Sequence, residues 1–232
     1  MDKTKNYADL KRSSLNLGID LFGVADITGI KQDFAISPRI LSKFDKAIVL
    51  GSRLSRILLE DIDAQPTKLY YHHYRAVNSL LDQSALRLTN IIQDKGFDAL
   101  AIPASQIVDW DAQKAHLSHK RIARLAGLGW IGRNNLLVNK RFGSQLRLVT
   151  ILTDIPMKTD KPVKDDCGAC HMCVKVCPAS AIKADPSGFD HAGCFEKLKE
   201  FHKLRISEQY VCGVCVKVCP GKTKPIRGGR HG

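Results

Sequence analysis

The first 157 residues of this 232-residue chain contain no cysteine, so that stretch offers neither a disulfide nor a thiolate metal site. Long apolar runs are missing too. Ala47–Leu50 and Leu148–Leu152 fall far short of the ~20 residues a membrane-spanning helix needs. No apolar segment of the signal-peptide kind follows Met1-Asp-Lys-Thr-Lys-Asn6, so the expectation is a cytoplasmic protein with reduced thiols and no membrane contact. Acidic side chains are scarce against basic ones, 23 to 36, for a formal charge of +13. Such an excess suits nucleic acid or another anionic partner, and equally a solvated basic surface. Part of it lies in Lys222, Lys224, Arg227 and Arg230, which with Gly228-Gly229 read as a basic flexible tail over 223–232.

What is present is ordinary until residue 156. An apolar share of 44% supports a packed core, and the length allows one sizeable domain plus a smaller one. Tyr7, Leu10 and Leu17 fit a short amphipathic helix, while Leu21–Ala25 and Ala47–Leu50 read as buried strands. Tyr70, Tyr74, Val77, Leu81, Ala85, Leu88, Ile91 and Ile92 recur at helical spacing, predicting one long helix that ends at Gly96. Further strands are expected at Phe97–Ile102 and Arg147–Leu152, with a helix around Leu117–Leu125 between them. The alternation makes this part an α/β or α+β domain. Pro156–Asp166, rich in Lys, Asp and Pro, reads as a connector between a domain at 1–157 and another at 158–222.

All eight cysteines fall between 167 and 219. Cys167-x-x-Cys170-x-x-Cys173-x-x-x-Cys177-Pro178 is the bacterial ferredoxin spacing in full. Three closely spaced thiolates bind three irons of one [4Fe–4S] cubane, and the fourth cysteine serves a second cluster. Cys212-x-x-Cys215-x-x-x-Cys219-Pro220 is a shortened copy, and both copies end in Val-Lys-Val-Cys-Pro. The copy lacks its first cysteine, because Gln209 stands there, and Cys194 alone lies outside both motifs. The simplest allotment puts Cys167, Cys170, Cys173 and Cys219 on one cluster and Cys177, Cys194, Cys212 and Cys215 on the other. Zinc is the alternative for Cys-x-x-Cys pairs, although zinc motifs rarely double a four-cysteine run ending in Cys-Pro. Each [4Fe–4S]²⁺ core with four thiolates carries −2, so two would lower the charge from +13 to +9. His171, His191 and His202 read as surface residues rather than ligands.

Two other patterns carry possible chemistry. Gly127-Leu-Gly129-Trp-Ile-Gly132 matches the dinucleotide pattern, with Asp154 downstream. That pattern needs a strand before the glycines. Here His119–Ala126 reads as helix, and Gly127 is better explained as a helix C-terminal residue with positive φ. Asp109, Asp111, His116 and His119 form a polar cluster between a strand and a helix, suited to acid–base work or to capping that helix. Tyr70–Tyr74 could line a pocket, though aromatic residues on a helix are more often core.

Ala126–Asn135, Gly143-Ser144, Ile151–Asp154 and the doubled cysteine pattern together resemble the epoxyqueuosine reductase family, related to reductive dehalogenases. Leu17–Ala25 is similar as well. The resemblance implies an α+β protein: a nitroreductase-like cobalamin-binding α/β domain followed by a ferredoxin-like domain with two [4Fe–4S] clusters. Electrons would pass from an external ferredoxin- or flavodoxin-type donor through the clusters to a base-off corrinoid, which reduces a small-molecule substrate or one carried on tRNA. It also implies Asp109 as proton donor, and Gly127, Gly129, Trp130, Arg133, Asn134, Asn135, Gly143 and Ser144 as corrinoid contacts. Two departures stand out. The family continues past the clusters into a helical-repeat domain, whereas this sequence has only the residues after Cys219. Gln113–Ser118 reads as an insertion, and the proline usual after the aspartate is missing. A non-catalytic electron-transfer or corrinoid-binding protein that serves a partner is the alternative.

Overall fold

The computed structural model describes residues 2–110 and 112–222. Asp111, Lys224, Arg227 and Arg230, singled out above, lie outside the described residues. Contacts divide the chain into two compact units, and the division is not a single cut. One unit is Met1–Leu54, His73–Trp130 and Arg147–Asp165. The other joins Ser55–His72 and Ile131–Leu146 to the chain from Asp166 onward.

The first unit is built on a four-stranded sheet. Its strands are β1 (Leu21–Asp26), β2 (Lys46–Arg53), β3 (Ala99–Ile102) and β6 (Leu146–Thr153), in the order β1-β2-β6-β3. β1 pairs antiparallel with β2, setting Phe22 opposite Leu50 and Val24 opposite Ile48. β3 pairs antiparallel with β6, setting Ile102 opposite Thr150. Residues 47–52 of β2 and 148–153 of β6 are buried without alternation, as happens when both faces of a strand are covered. That is why these segments read as short apolar runs.

Helix α1 (Lys3–Asn16) starts at Asp2, whose carboxylate accepts from the Thr4 and Lys5 N–H groups. It buries Tyr7, Leu10 and Ser14. The long helix α4 (Lys68–Asp94) buries Val77, Leu81, Ala85, Leu88 and Ile92, the stripe expected from their spacing. It closes where Gly96 N–H reaches Gln93 and Phe97 N–H reaches Ile92. Helix α5 (His119–Leu125) lies against β1 and β2. α2 (Pro38–Leu41) is a single turn. The segment read as a connector is bound to this unit: Asp160 accepts from Tyr7 Oη and from Val24 N–H, and its own N–H bonds Val24 O. Burial and the Asp160 charge push the Tyr7 hydroxyl up to about 12. No helix among the described residues is long and apolar enough to cross a membrane.

In the second unit the helices are α3 (Arg56–Glu60), α6 (Met172–Val176), α7 (His191–Lys203) and α8 (Val214–Lys217). α6 and α8 begin at matching points of the two cysteine copies and pack on each other, and α8 also meets α3. A tight hairpin joins β4 (Trp130–Ile131) to β5 (Leu137–Val138). Lys217 Nζ bonds Ile62 O, and Tyr71 Oη donates to Glu208 at 3.2 Å. The earlier chain segments are therefore part of the cysteine-bearing unit.

Candidate metal centre

Local structure delivers the cysteines one element at a time. Cys173 rides on the short helix α6 and Cys215 on α8, with Cys177 and Cys219 just beyond each helix. Cys194 sits in the first turn of α7, where Asp190 caps the helix by accepting from Gly193 N–H at 2.9 Å. This is the position sequence counting required, since the second copy has Gln209 in place of a ligand.

The thiols sort by their electrostatic neighbours. Burial pushes Cys173 up to about 11, and Cys219, Cys167 and Cys170 add to the rise. Cys212 is also pushed up to about 11 by burial, with Cys194 and Cys177 beside it. Burial raises Cys215 strongly, and Cys212, Cys194, Cys173 and Cys177 add to the rise in that order. Two gatherings result, one of Cys167, Cys170, Cys173 and Cys219, the other of Cys177, Cys194, Cys212 and Cys215. Ionised together, thiolates packed this closely would repel one another unless bound metal compensates their charge. Among the described residues no three His, Cys, Asp or Glu groups converge on one point as a single-ion site demands. A cubane asks for something wider, because each thiolate binds a different iron. The donor set therefore fits two clusters.

Residues 132–144 support the first gathering, and this is where several expected corrinoid contacts are found. Arg133 donates to Ala184 O at 2.6 Å, Gly168 O at 2.9 Å and Cys170 O at 3.1 Å. Buried Asn134 donates to Ser144 Oγ at 3.0 Å. Ser144 in turn hydrogen-bonds Cys219 through its hydroxyl and backbone N–H. Gly143 has φ +59, and a Cβ there would lie 1.8 Å from Cys219 O. Asn135, at φ +56, has its amide 3.4 Å from His191 Nε2. Nothing in the spacing of these residues could have announced the cluster-loop contacts, which form over more than 30 residues of chain.

Of the remaining candidates, Gly127 ends α5 with φ +69, as expected, and a Cβ would lie 2.6 Å from Lys161 O. The glycine pattern thus follows a helix and lacks the strand a dinucleotide fingerprint needs. Trp130 is buried beside it, and Asp154 accepts from Asp98 N–H. Tyr70 and Tyr71 are buried. Tyr74 lies under the Arg147 guanidinium, 4.3 Å from its ring centroid. Burial pulls the Tyr74 hydroxyl upward, but the Arg147 charge and hydrogen bonds with Ser105, Asn78 and Arg147 bring it below the ordinary tyrosine value. Tyr74 was read from sequence as possible pocket lining, and its Arg147 partner was not read as part of it.

Asp109 lies in an exposed turn, pairing with Lys114 across an isolated bridge while Oδ1 accepts from Ala112 N–H. His116 Nδ1 is 3.0 Å from Ala35 O. His119 bonds Thr150 Oγ1 through Nδ1 and Pro103 O through Nε2, both at 2.8 Å. Of the cysteine-region histidines, His171 reaches Ala169 O and His202 reaches Ser207 O.

Desolvation pushes His119 down to about 4 from an ordinary 6.5. A base with a depressed folded value is disfavoured in its charged form, so its contribution is whole above pH 6.5 and is lost as pH falls towards 4. Allowing for partial exposure, roughly 2 kcal/mol is at stake. Wild type should therefore lose melting temperature relative to His119→Asn between pH 6.5 and 4.5. A parallel decline of the two proteins would contradict the assignment.

Two gatherings of thiols in a ferredoxin-type unit define an iron–sulfur protein of the double-cluster class. Residues 166–222 match a family model described as a 4Fe-4S double cluster binding domain. An epoxyqueuosine reductase of Leadbetterella byssophila is 30% identical over 77% of this chain, which spans 56% of that relative's length. In fold, a reductive dehalogenase structure reported to suggest a mechanism for B12-dependent dehalogenation superposes with TM-score 0.74 at 18% identity, covering 97% of this chain and 32% of its own. A crystal structure of epoxyqueuosine reductase with an epoxyqueuosine-modified tRNA-Tyr stem loop gives 0.65 at 18% identity, covering 94% and 65%. The chain is similar to epoxyqueuosine reductases over most of its length, and shares its fold with the reductive dehalogenases.

Proposed function

We propose that this chain is an iron–sulfur, cobalamin-dependent reductase that takes electrons from an external low-potential donor. The observation that carries the reading is the gathering of all eight cysteines into two sets of four, in a chain whose likeness to epoxyqueuosine reductase extends well beyond the cysteine segment. Cys167, Cys170, Cys173 and Cys219 would hold one [4Fe–4S] cluster, and Cys177, Cys194, Cys212 and Cys215 the other. When bound, a base-off corrinoid supplies a metal centre that the clusters reduce and that reduces substrate in turn. The Gly127–Trp130 loop offers closely packed backbone and a buried indole for a flat macrocycle. Arg133, Asn134, Gly143 and Ser144 have a prior engagement with the cluster loops and would take a smaller part. Both ring nitrogens of His119 are already bonded, which supports a cobalt without a histidine ligand. Asp109 would hold the transferable proton, a role that requires its carboxylate to leave Ala112 N–H.

That same engagement of Asp109 favours a second reading, a non-catalytic corrinoid-binding or electron-transfer protein. The substrate is a small molecule or a tRNA-borne base, and the basic excess suits the latter. Anaerobic titration of the cluster-reconstituted protein with cob(II)alamin should give saturable binding at one equivalent, with a base-off paramagnetic signal free of nitrogen coupling. Absence of binding would remove the corrinoid from the reading and leave a ferredoxin-like electron carrier. Binding with reductive turnover abolished by Asp109→Asn would favour the enzyme over the carrier.

A further inference from the structure

We propose that residues 133–144 and Asp190 set the two clusters to different potentials, so that the cluster on Cys167, Cys170, Cys173 and Cys219 is reduced first. This rests on the two-cluster reading above and goes on to order the pair. Reduction adds one electron from a low-potential one-electron donor to a [4Fe–4S]²⁺ core, giving [4Fe–4S]⁺, with no bond made or broken. With four thiolates the charge goes from −2 to −3. Hydrogen bonds to sulfur, nearby positive charge and access to water all favour the more negative form.

The first two favour the first set, and the third does so at Cys170. The Cys219 thiol is hydrogen-bonded by the Ser144 hydroxyl and the Gly221 N–H, while the Ser144 N–H donates to Cys219 O at 3.1 Å. Asn134 Nδ2 donates to Ser144 Oγ from behind, so the oxygen is occupied as acceptor and its proton is free to point at sulfur. The Arg133 guanidinium is pinned by three carbonyls on and beside the loop that carries Cys167 and Cys170, within reach of the Asp185 carboxylate. Cys170 is the exposed member of the eight. The second set has a carboxylate beside it where the first has a guanidinium. The Asp190 carboxylate, fixed by capping α7, places negative charge beside Cys194. Cys212 receives the Val214 N–H. Ser144 and Arg133 therefore act on the clusters through Cys219 and the Cys167–Cys170 loop, as positioning residues.

The test is an anaerobic dithionite titration followed by paramagnetic resonance, on wild type, Ser144→Ala and Asp190→Asn proteins carrying about eight irons. Wild type should show two one-electron waves. Ser144→Ala should lower the upper wave alone, cutting its reduced-to-oxidised ratio about tenfold at the wild-type midpoint, which for one electron is 59 mV. Asp190→Asn keeps a helix cap and should raise the lower wave alone. An unmoved upper wave in Ser144→Ala, or a moved lower one, overturns the proposal. Where Ser144→Ala sheds iron, Cys194→Ala decides, since it retains only the first set. A remaining wave at the upper wild-type midpoint supports the order, and one at the lower midpoint overturns it. Absence of both waves in reconstituted wild type would instead bring down the two-cluster reading, and this inference with it.

Discussion

Cys194→Ser protein should retain about four iron and four sulfide per chain, against about eight of each in wild type. Cys194 completes the second set from the first turn of α7, outside both sequence motifs, and Cys177 and Asp190 are its charged neighbours. Its loss leaves Cys177, Cys212 and Cys215, which make three of four iron contacts. The first set does not depend on it, so Cys167, Cys170, Cys173 and Cys219 should keep their cluster. Iron and acid-labile sulfide assays on anaerobically purified protein decide the matter. Two intact cubanes in the variant would mean that another group is the eighth ligand. Stoichiometric zinc with little sulfide in wild type would defeat the iron–sulfur assignment altogether.

Gly143→Ala should be the most damaging single-methyl change in the second unit. The added Cβ would lie 1.8 Å from Cys219 O and 2.4 Å from Gly221 N, and both are backbone atoms that no side-chain rotation can clear. Residue 143 also has φ +59, a conformation that costs alanine about 1 kcal/mol by itself. The backbone clash brings the expected destabilisation to about 3 kcal/mol or more. Relief requires the Cys219 backbone to move, and with it the ligand that the second copy lends to the first set. The expected result is a lowered melting temperature together with loss of about half the iron. Gly29→Ala is the control, because nothing lies within 4 Å of a Cβ there. Full iron content and wild-type melting in Gly143→Ala would show that the close approach does not govern the site.

Much of this was legible because it depends on neighbours in sequence. Helix α4 announced itself through apolar spacing, and Gly127 through the helix before it. The buried strands appeared as apolar runs, because a strand covered on both faces has no polar side to alternate with. The cluster chemistry was legible for the same reason, as a cubane takes three ligands from one short loop. Counting supplied Cys194, since two cubanes need eight thiolates and seven lay in motifs.

What sequence could not supply is long-range. The resemblance assigned Arg133, Asn134, Gly143 and Ser144 to a corrinoid, and no local rule pointed anywhere else. Folding brings Arg133 to carbonyls 35, 37 and 51 residues away and Ser144 to Cys219. Asp109 read as an acid–base group or a cap of the following helix, whereas its carboxylate accepts Ala112 N–H in an exposed turn. The apparent connector became part of the first unit through Asp160, whose carboxylate satisfies Tyr7 Oη and Val24 N–H. The amino-acid sequence by itself determined the main elements of the first unit, the eight candidate ligands and the reason to group them, because those follow from spacing along the chain. Only the tertiary structure decided which side chains and backbone dipoles surround each group of thiols, because hydrogen bonds and burial depend on which distant segments meet.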